Sequence, residues 1–171
     1  MEARVVGVSL KVIITLDGTV RNTMGCVETL GFQVLNLVGK FKRALTKQDL
    51  RLSLARMAQT IPFASDPQVN SAFISDQRLI EVYSAFPLPG AAQCFFVDTL
   101  QRVGSIAVPT LVLHGQEDKV DPPETAQLLY DALTCEKRLE IIPSSGHVGH
   151  LDKQKDRIME LTAEWALRHL T

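Results

Sequence analysis

The stretch V-P-T-L-V-L-H-G-Q-E-D-K-V-D-P-P-E, residues 108–124, decides the architecture together with A-Q-L-L-Y-D-A-L (126–133) and R-L-E-I-I-P-S-S-G-H (138–147). Thr110 to Leu113 has the apolar, β-rich composition of a strand covered on both faces, as strands of parallel sheets are, and His114-Gly115 closes it. Asp118 therefore falls on a loop just past the carboxyl end of a strand, the edge where open α/β sheets carry their chemistry. Leu139, Ile141 and Ile142 read as the next strand. The turn at Ser145-Gly146 then delivers His147 to the same rim. Pro122-Pro123 ends the intervening loop, and Glu124 opens a helix of about three turns with Ala126, Leu129 and Leu133 facing inward. An acid and an imidazole on neighbouring loops are the orienting acid and general base that a nucleophilic triad requires.

At these residues the sequence resembles the last third of an α/β-hydrolase. The run P-T-L-V-L-H-G-Q-E-D-K-V-D-P-P and the later I-P-S-S-G-H, with Leu151 and Asp152 behind it, carry the resemblance. It covers residues from about 105 to 171 well, and 12–104 only by general layout. In that superfamily the chain order is nucleophile, acid, histidine. The resemblance implies a partial α/β-hydrolase sheet of parallel strands with flanking helices, Asp118 as the acid and His147 as the base. Asp121 and Glu117 are competing carboxylates, and His150 is a nearby rival imidazole. His114 is expected to make local backbone bonds at the strand end, and His169 to be solvated. A metal site built from His114, Asp118, His147 and His150 has no close helical ligand pair such as H-x-x-x-H to support it, so no cofactor or metal is expected.

The same resemblance directs attention to R-V-V-G-V-S-L-K, residues 4–11, as a G-x-S-x-G nucleophile elbow. Gly7 and Ser9 fit it, but Lys11 stands where the last glycine belongs. The elbow depends on small flanking residues that let strand and helix approach closely. Here the next residues, V-I-I-T-L, are β-branched and alternate like a strand, and the helix expected after the serine is absent. Ser9 is thus a candidate nucleophile, set against a surface serine near a strand end. At 171 residues the chain is shorter than a complete α/β-hydrolase, and an early segment carrying the oxyanion-hole loop is expected to be missing.

Between the early strand at Val12 to Leu16 and the acid motif, residues 17–104 read as mostly helical. The chain is taken as a single α/β-hydrolase-like domain over 1–171, with 24–103 as a helical cap-like insertion. Leu30, Val34, Leu37, Val38 and Phe41 recur at helical spacing between Val27 and Leu45, which predicts a helix with that face buried. Thr46 reads as the N-cap of a second helix running through Leu50, Leu54, Met57 and Ala58, with Asp49 completing a capping box. Ser65-Asp66-Pro67 opens a third through Val69 and Phe73, and Leu79 to Tyr83 continues or restarts it. Pro87-Leu88-Pro89-Gly90 breaks the chain, and Ala91 to Val103 follows as a helix. Leu35, Phe41, Leu52, Met57, Phe63, Phe73 and Phe86 either line an apolar substrate channel or pack the cap on the sheet. A terminal helix over about 153–170 turns Ile158, Leu161 and Trp165 inward.

Composition bounds the partners. A formal net charge of -1 offers no basic field for nucleic acid or a membrane surface. No apolar run approaches a membrane span, and Lys11 and Glu2 spoil a signal-peptide reading of the first residues. Cys26, Cys94 and Cys135 are too scattered for a disulfide framework and read as reduced, partly buried thiols of a cytoplasmic protein. The early strand, deprived of neighbours, is expected to offer a sheet edge for self-association. Two functions stand: hydrolysis of a small-molecule ester or amide bearing an apolar group through a Ser-Asp-His mechanism, or a non-catalytic scaffold of the same ancestry that binds a ligand or partner.

Overall fold

The computed structural model describes residues 10–18, 20–21, 25–53, 60–88 and 98–170. Its centre is a parallel sheet of three strands: β1 (Ile13–Leu16), β4 (Thr110–Gly115) and β5 (Lys137–Ile142), in the order β1-β4-β5. Ile13 lies opposite Thr110, and Thr110 in turn opposite Lys137. Strand β4 is buried along its whole length, which explains its unbroken apolar run. Its alternate residues feed two cores. Val112 packs with Val20, Val103, Ala126, Leu129 and Leu133 on one face. Leu111 and Leu113 pack with Ile142, Ile158, Leu161 and Trp165 on the other.

Helices supply those faces. α5 (Glu124–Ala132) connects β4 to β5 and buries Ala126 and Leu129, while α6 (Lys155–Leu170) buries Ile158, Leu161 and Trp165. These match the sequence periodicity. β4 runs two residues beyond the expected Leu113, because His114 and Gly115 still pair with Ile141 and Ile142. His114 is fully buried.

Between β1 and β4 lie α1 (Cys26–Thr46), the short strands β2 (Arg51–Leu52) and β3 (Phe86–Pro87), α2 (Pro67–Ser75), α3 (Gln77–Ser84) and α4 (Leu100–Val103). α2 opens after Ser65-Asp66 as expected, with the Asp66 carboxylate accepting from the Gln68 amide as its cap, and Asp76 restarts the chain as the cap of α3. Three expectations fail here. Thr46 is the last residue of α1 rather than an N-cap: its hydroxyl donates to the Lys42 carbonyl, and Arg51 and Leu52 pair antiparallel with Pro87 and Phe86. The helix before β4 does not run unbroken from Ala91, since Asp98 bridges Arg21 and the helix begins at Leu100. α1 also turns its apolar stripe outward. Its buried or half-buried residues are Thr29, Phe32, Asn36, Gly39 and Lys42, with Gly39 against Leu88 and Leu50. Leu30, Val34, Leu37, Val38 and Phe41 are exposed instead. Cys26 is exposed and Cys135 half-buried, whereas Cys94 lies outside the described residues.

Among the described glycines the most tightly enclosed is Gly115, where β4 ends. A Cβ on Gly115 would collide with the carbonyl oxygens of Ser145 and Gly146, both rigid backbone. Gly115→Ala is therefore expected to destabilise the fold by about 1–3 kcal/mol. Gly18→Ala, whose Cβ would meet nothing nearer than Thr15 at 3.9 Å, is expected to leave the urea midpoint nearly unchanged.

Candidate active site

The β4–β5 pairing does not stop at the strand ends. The Gln116 amide donates to the Ile142 carbonyl at 2.9 Å and the Glu117 amide to the Ser145 carbonyl at 2.9 Å. These bonds zip the loop after β4 to the loop after β5. As a result Asp118 and His147 face each other, with His147 Nδ1 2.9 Å from Asp118 Oδ2. The carboxylate is fully buried, while the imidazole is 26% exposed. An acid sealed inside and a base at the surface is the arrangement that orients an imidazole toward a substrate.

Asp118 carries more than one bond. Its Oδ1 accepts from the Val120 and Asp121 amides at 2.8 and 2.9 Å. Its Oδ2 is also 3.3 Å from His114 Nε2. Burial alone would raise its pKa, but the bonds from His114, His147 and the Asp121 amide overrule it and hold the carboxyl far below the usual range. Reciprocally, the bond to Asp118 lifts the His147 pKa above its ordinary value against the opposing effect of burial. Asp121, the rival carboxylate, is pushed upward by burial and offers its carbonyl, not its side chain, to His114 Nε2 at 2.8 Å. Glu117 accepts from the Ser65 hydroxyl at 2.7 Å, and His150 is exposed on the turn that follows.

Two further carboxylates, unassigned from sequence, frame this pair. Asp17, at the end of β1 with φ 50°, accepts from the Gly115 amide at 2.9 Å and the Gly149 amide at 3.1 Å. It ties the first strand to both functional loops. Burial raises its pKa, and its two backbone bonds only partly offset that. Asp152 accepts from the amides of Ser65, Asp66, Gly146 and Lys153 at 2.7 to 2.9 Å. It pins the start of α2 to the histidine loop, and these four donors hold its pKa low despite burial. The D-G that closes β1 and the D after G-H-V-G-H-L look in sequence like ordinary turn aspartates, which hides both roles.

Phe63 stands beside His147, with ring centroids 6.3 Å apart. Phe73 is 4.5 Å from Phe63, and Tyr83 is 6.2 Å from Phe73. Of the residues expected to line a channel, Phe63 and Phe73 lie next to the site, whereas Phe41 is exposed on α1 and Met57 lies outside the described residues. Ser9 also lies outside them.

Ligand atoms of Asp17, His114 and Asp118 fall within 4.8 Å of one another. They do not make a free metal cradle: both Asp17 oxygens are taken by backbone amides and His114 Nε2 by the Asp121 carbonyl. His147 and His150, which the sequence offered beside His114 and Asp118 as possible ligands without a supporting pair, are not part of this group.

A family model described as the alpha/beta hydrolase fold matches residues 14–154. Among curated proteins, a 2-hydroxy-6-oxo-6-(2'-aminophenyl)hexa-2,4-dienoic acid hydrolase of Metapseudomonas resinovorans is 28% identical over 114 residues, 67% of this chain and 36% of its own. An AB hydrolase superfamily protein of Bacillus subtilis is 34% identical over 71 residues, 40% of this chain and 25% of its own. Similar solved structures include a thermophilic esterase from Thermogutta terrifontis, with TM-score 0.62 and 20% identity, covering 94% of this chain and 57% of that one. A monoacylglycerol lipase from Paleococcus ferrophilus gives TM-score 0.63 and 17% identity, covering 94% of this chain and 60% of that one. The chain thus spans about a third or less of the length of these curated relatives.

The carboxylate bonds dictate an acid limb of stability. Asp118 and Asp152 have folded pKa values below their unfolded ones. Their stabilisation is therefore complete above about pH 4 and is lost as pH falls through the folded values. Asp17, raised by burial, acts in the opposite sense. Asp152→Asn is expected to cost about 1–3 kcal/mol at neutral pH and to flatten the loss of stability between about pH 4 and pH 2, measured by urea denaturation.

Proposed function

The chain belongs to the α/β-hydrolase family, and from that premise we propose that it carries the acid and base of a Ser-Asp-His mechanism acting on a carboxylic ester or amide. The observation that carries the proposal is the 2.9 Å bond from His147 Nδ1 to the buried Asp118 carboxylate. With Nδ1 held there, Nε2 is the ring nitrogen left to exchange a proton with a nucleophile and leaving group. A serine hydroxyl attacks the acyl carbonyl; His147 takes its proton and returns it to the departing alcohol or amine. Asp118 fixes the tautomer and stabilises the imidazolium as it forms. In this chain the candidate serine is Ser9. Phe63, Phe73 and Tyr83 form an aromatic run next to the base, which favours a substrate with an apolar group. Residues 24–103 serve as the cap over it. Ser65, Asp66 and Phe63 tether that segment to the histidine loop through Asp152 and the bond from the Val148 amide to the Phe63 carbonyl at 3.1 Å.

Labelling by a fluorophosphonate probe tests the reading. The folded chain is expected to label, and Ser9→Ala and His147→Ala to abolish the signal. A well-folded chain that stays unlabelled would mean that the acid and histidine survive as scaffold without turnover. Where hydrolysis of a short-chain aryl ester is measurable, Asp118→Asn should lower kcat by on the order of 10³ to 10⁴. The rate should rise with pH as neutral His147 forms, through an apparent pKa above about 6.5, because the Asp118 bond raises that group. Asp118→Asn should move this limb downward, and a limb that stays in place would remove Asp118 from the assignment.

A further inference from the structure

α1 is amphipathic in the inverted sense, and among the described residues none covers its apolar side. Val27, Leu30, Val34, Leu37, Val38, Phe41 and Leu45 are each between 50% and 85% exposed. At 3.6 residues per turn they form one continuous stripe along the 21-residue helix. The face turned to the body is instead that of Thr29, Asn36 and Gly39. A stripe of this length is far more than the scattered apolar residues that a protein surface normally carries.

We propose that this stripe is the interface of a symmetric, antiparallel dimer of the chain, formed by α1 of one copy against α1 of another. The spacing of the stripe supports a second copy as the occupant. Laid antiparallel about a two-fold axis between Val34 and Leu37, position 27 faces 45, 30 faces 41, and 34 faces 37 and 38. Every apolar layer then meets an apolar layer, as a self-complementary interface requires. Gly31 and Ala44 flank the stripe, and a Cβ on Gly31 would meet nothing within 4 Å, so two helices can approach closely. The seven side chains expose on the order of 700 Å² per copy, near the roughly 800 Å² per partner of a stable interface.

Charge selects the orientation and the partner class. Lys40, Lys42, Arg43 and Lys47 all lie in or just after the last two turns, and residues 26–39 contain no lysine or arginine. A parallel pair would set the two basic clusters side by side. The antiparallel pair separates them by about 20 Å at 1.5 Å per residue. A helix lying on an anionic bilayer would carry basic residues along its polar margins, which the first half of α1 lacks. The surface is also distinct from the edge of β1, four residues long, where the sequence alone placed self-association.

Sedimentation velocity on the purified chain is the test. The expected species is a dimer of the 18.9 kDa chain, and Leu37→Glu and Phe41→Glu should each weaken it at least about 100-fold with unchanged circular dichroism. Leu167→Glu, at an exposed position on α6, should leave it intact. Under mild oxidation, Leu45→Cys should cross-link to the native Cys26 of the other copy, since 26 and 45 lie at matching ends of an antiparallel pair. A monomer at about 100 μM overturns the proposal, and so does a dimer that resists Leu37→Glu. Cross-linking of Cys26 to Cys26 in place of Cys26 to position 45 overturns the antiparallel arrangement. Binding of phosphatidylserine vesicles by a monomeric chain would assign the stripe to a lipid surface and equally overturn it.

Discussion

The structure depends on the pairing of β4 and β5 being carried past the strands themselves. Two backbone bonds, from Gln116 to Ile142 and from Glu117 to Ser145, bring two loops into register that would otherwise diverge. Only because they are in register can Asp118 reach His147. Gly115 makes this possible, because any side chain there would strike the Ser145 and Gly146 carbonyls. Asp17 then locks the arrangement from the third strand by accepting from one amide on each side of it, Gly115 and Gly149. The site is thus backbone geometry first and side-chain chemistry second.

What sequence made legible follows from that order. β4 announced itself because burial on both faces leaves an uninterrupted apolar run, and α5 and α6 because their inward residues recur at the helical period. The meeting of Asp118 with His147 was legible because loops after consecutive parallel strands emerge at one edge. Asp17 and Asp152 were not, since an aspartate that accepts backbone amides from distant segments looks in sequence like one that accepts them locally. The carboxylates of Asp17 and Asp152 reach residues up to 132 positions away.

Helix α1 shows the converse. Its existence and limits were readable from periodicity, but its orientation was not. Periodicity says that one face is apolar and leaves open what covers it. The usual inference, that the apolar face meets the protein's own core, fails here because Gly39 gives the opposite face its close contact with Leu88 and Leu50. The expected N-cap at Thr46 failed because the residue closes α1 instead. Its hydroxyl donates to the Lys42 carbonyl and accepts from the Gln48 amide, and the chain then enters the strand β2 at Arg51.

Asp118 Oδ2 lies within reach of two imidazoles, which differ in how readily each can place a second ring proton. The Asp121 carbonyl can only accept, so the hydrogen bond at 2.8 Å assigns the proton of neutral His114 to Nε2. Its Nδ1 is buried and has no partner among the described residues. Charging His114 would place an N–H there with no acceptor, a loss of the order of 1–3 kcal/mol. His147 faces no such obstacle: its Nδ1 already donates to Asp118, and its ring reaches the surface where the added proton on Nε2 can be hydrated or handed on. The negative charge of Asp118 favours the charged form of both rings, against the burial that opposes it at each, so the carboxylate itself does not tell them apart. What separates the two imidazoles is exposure: His114 is sealed at the end of β4, whereas the His147 ring is 26% exposed.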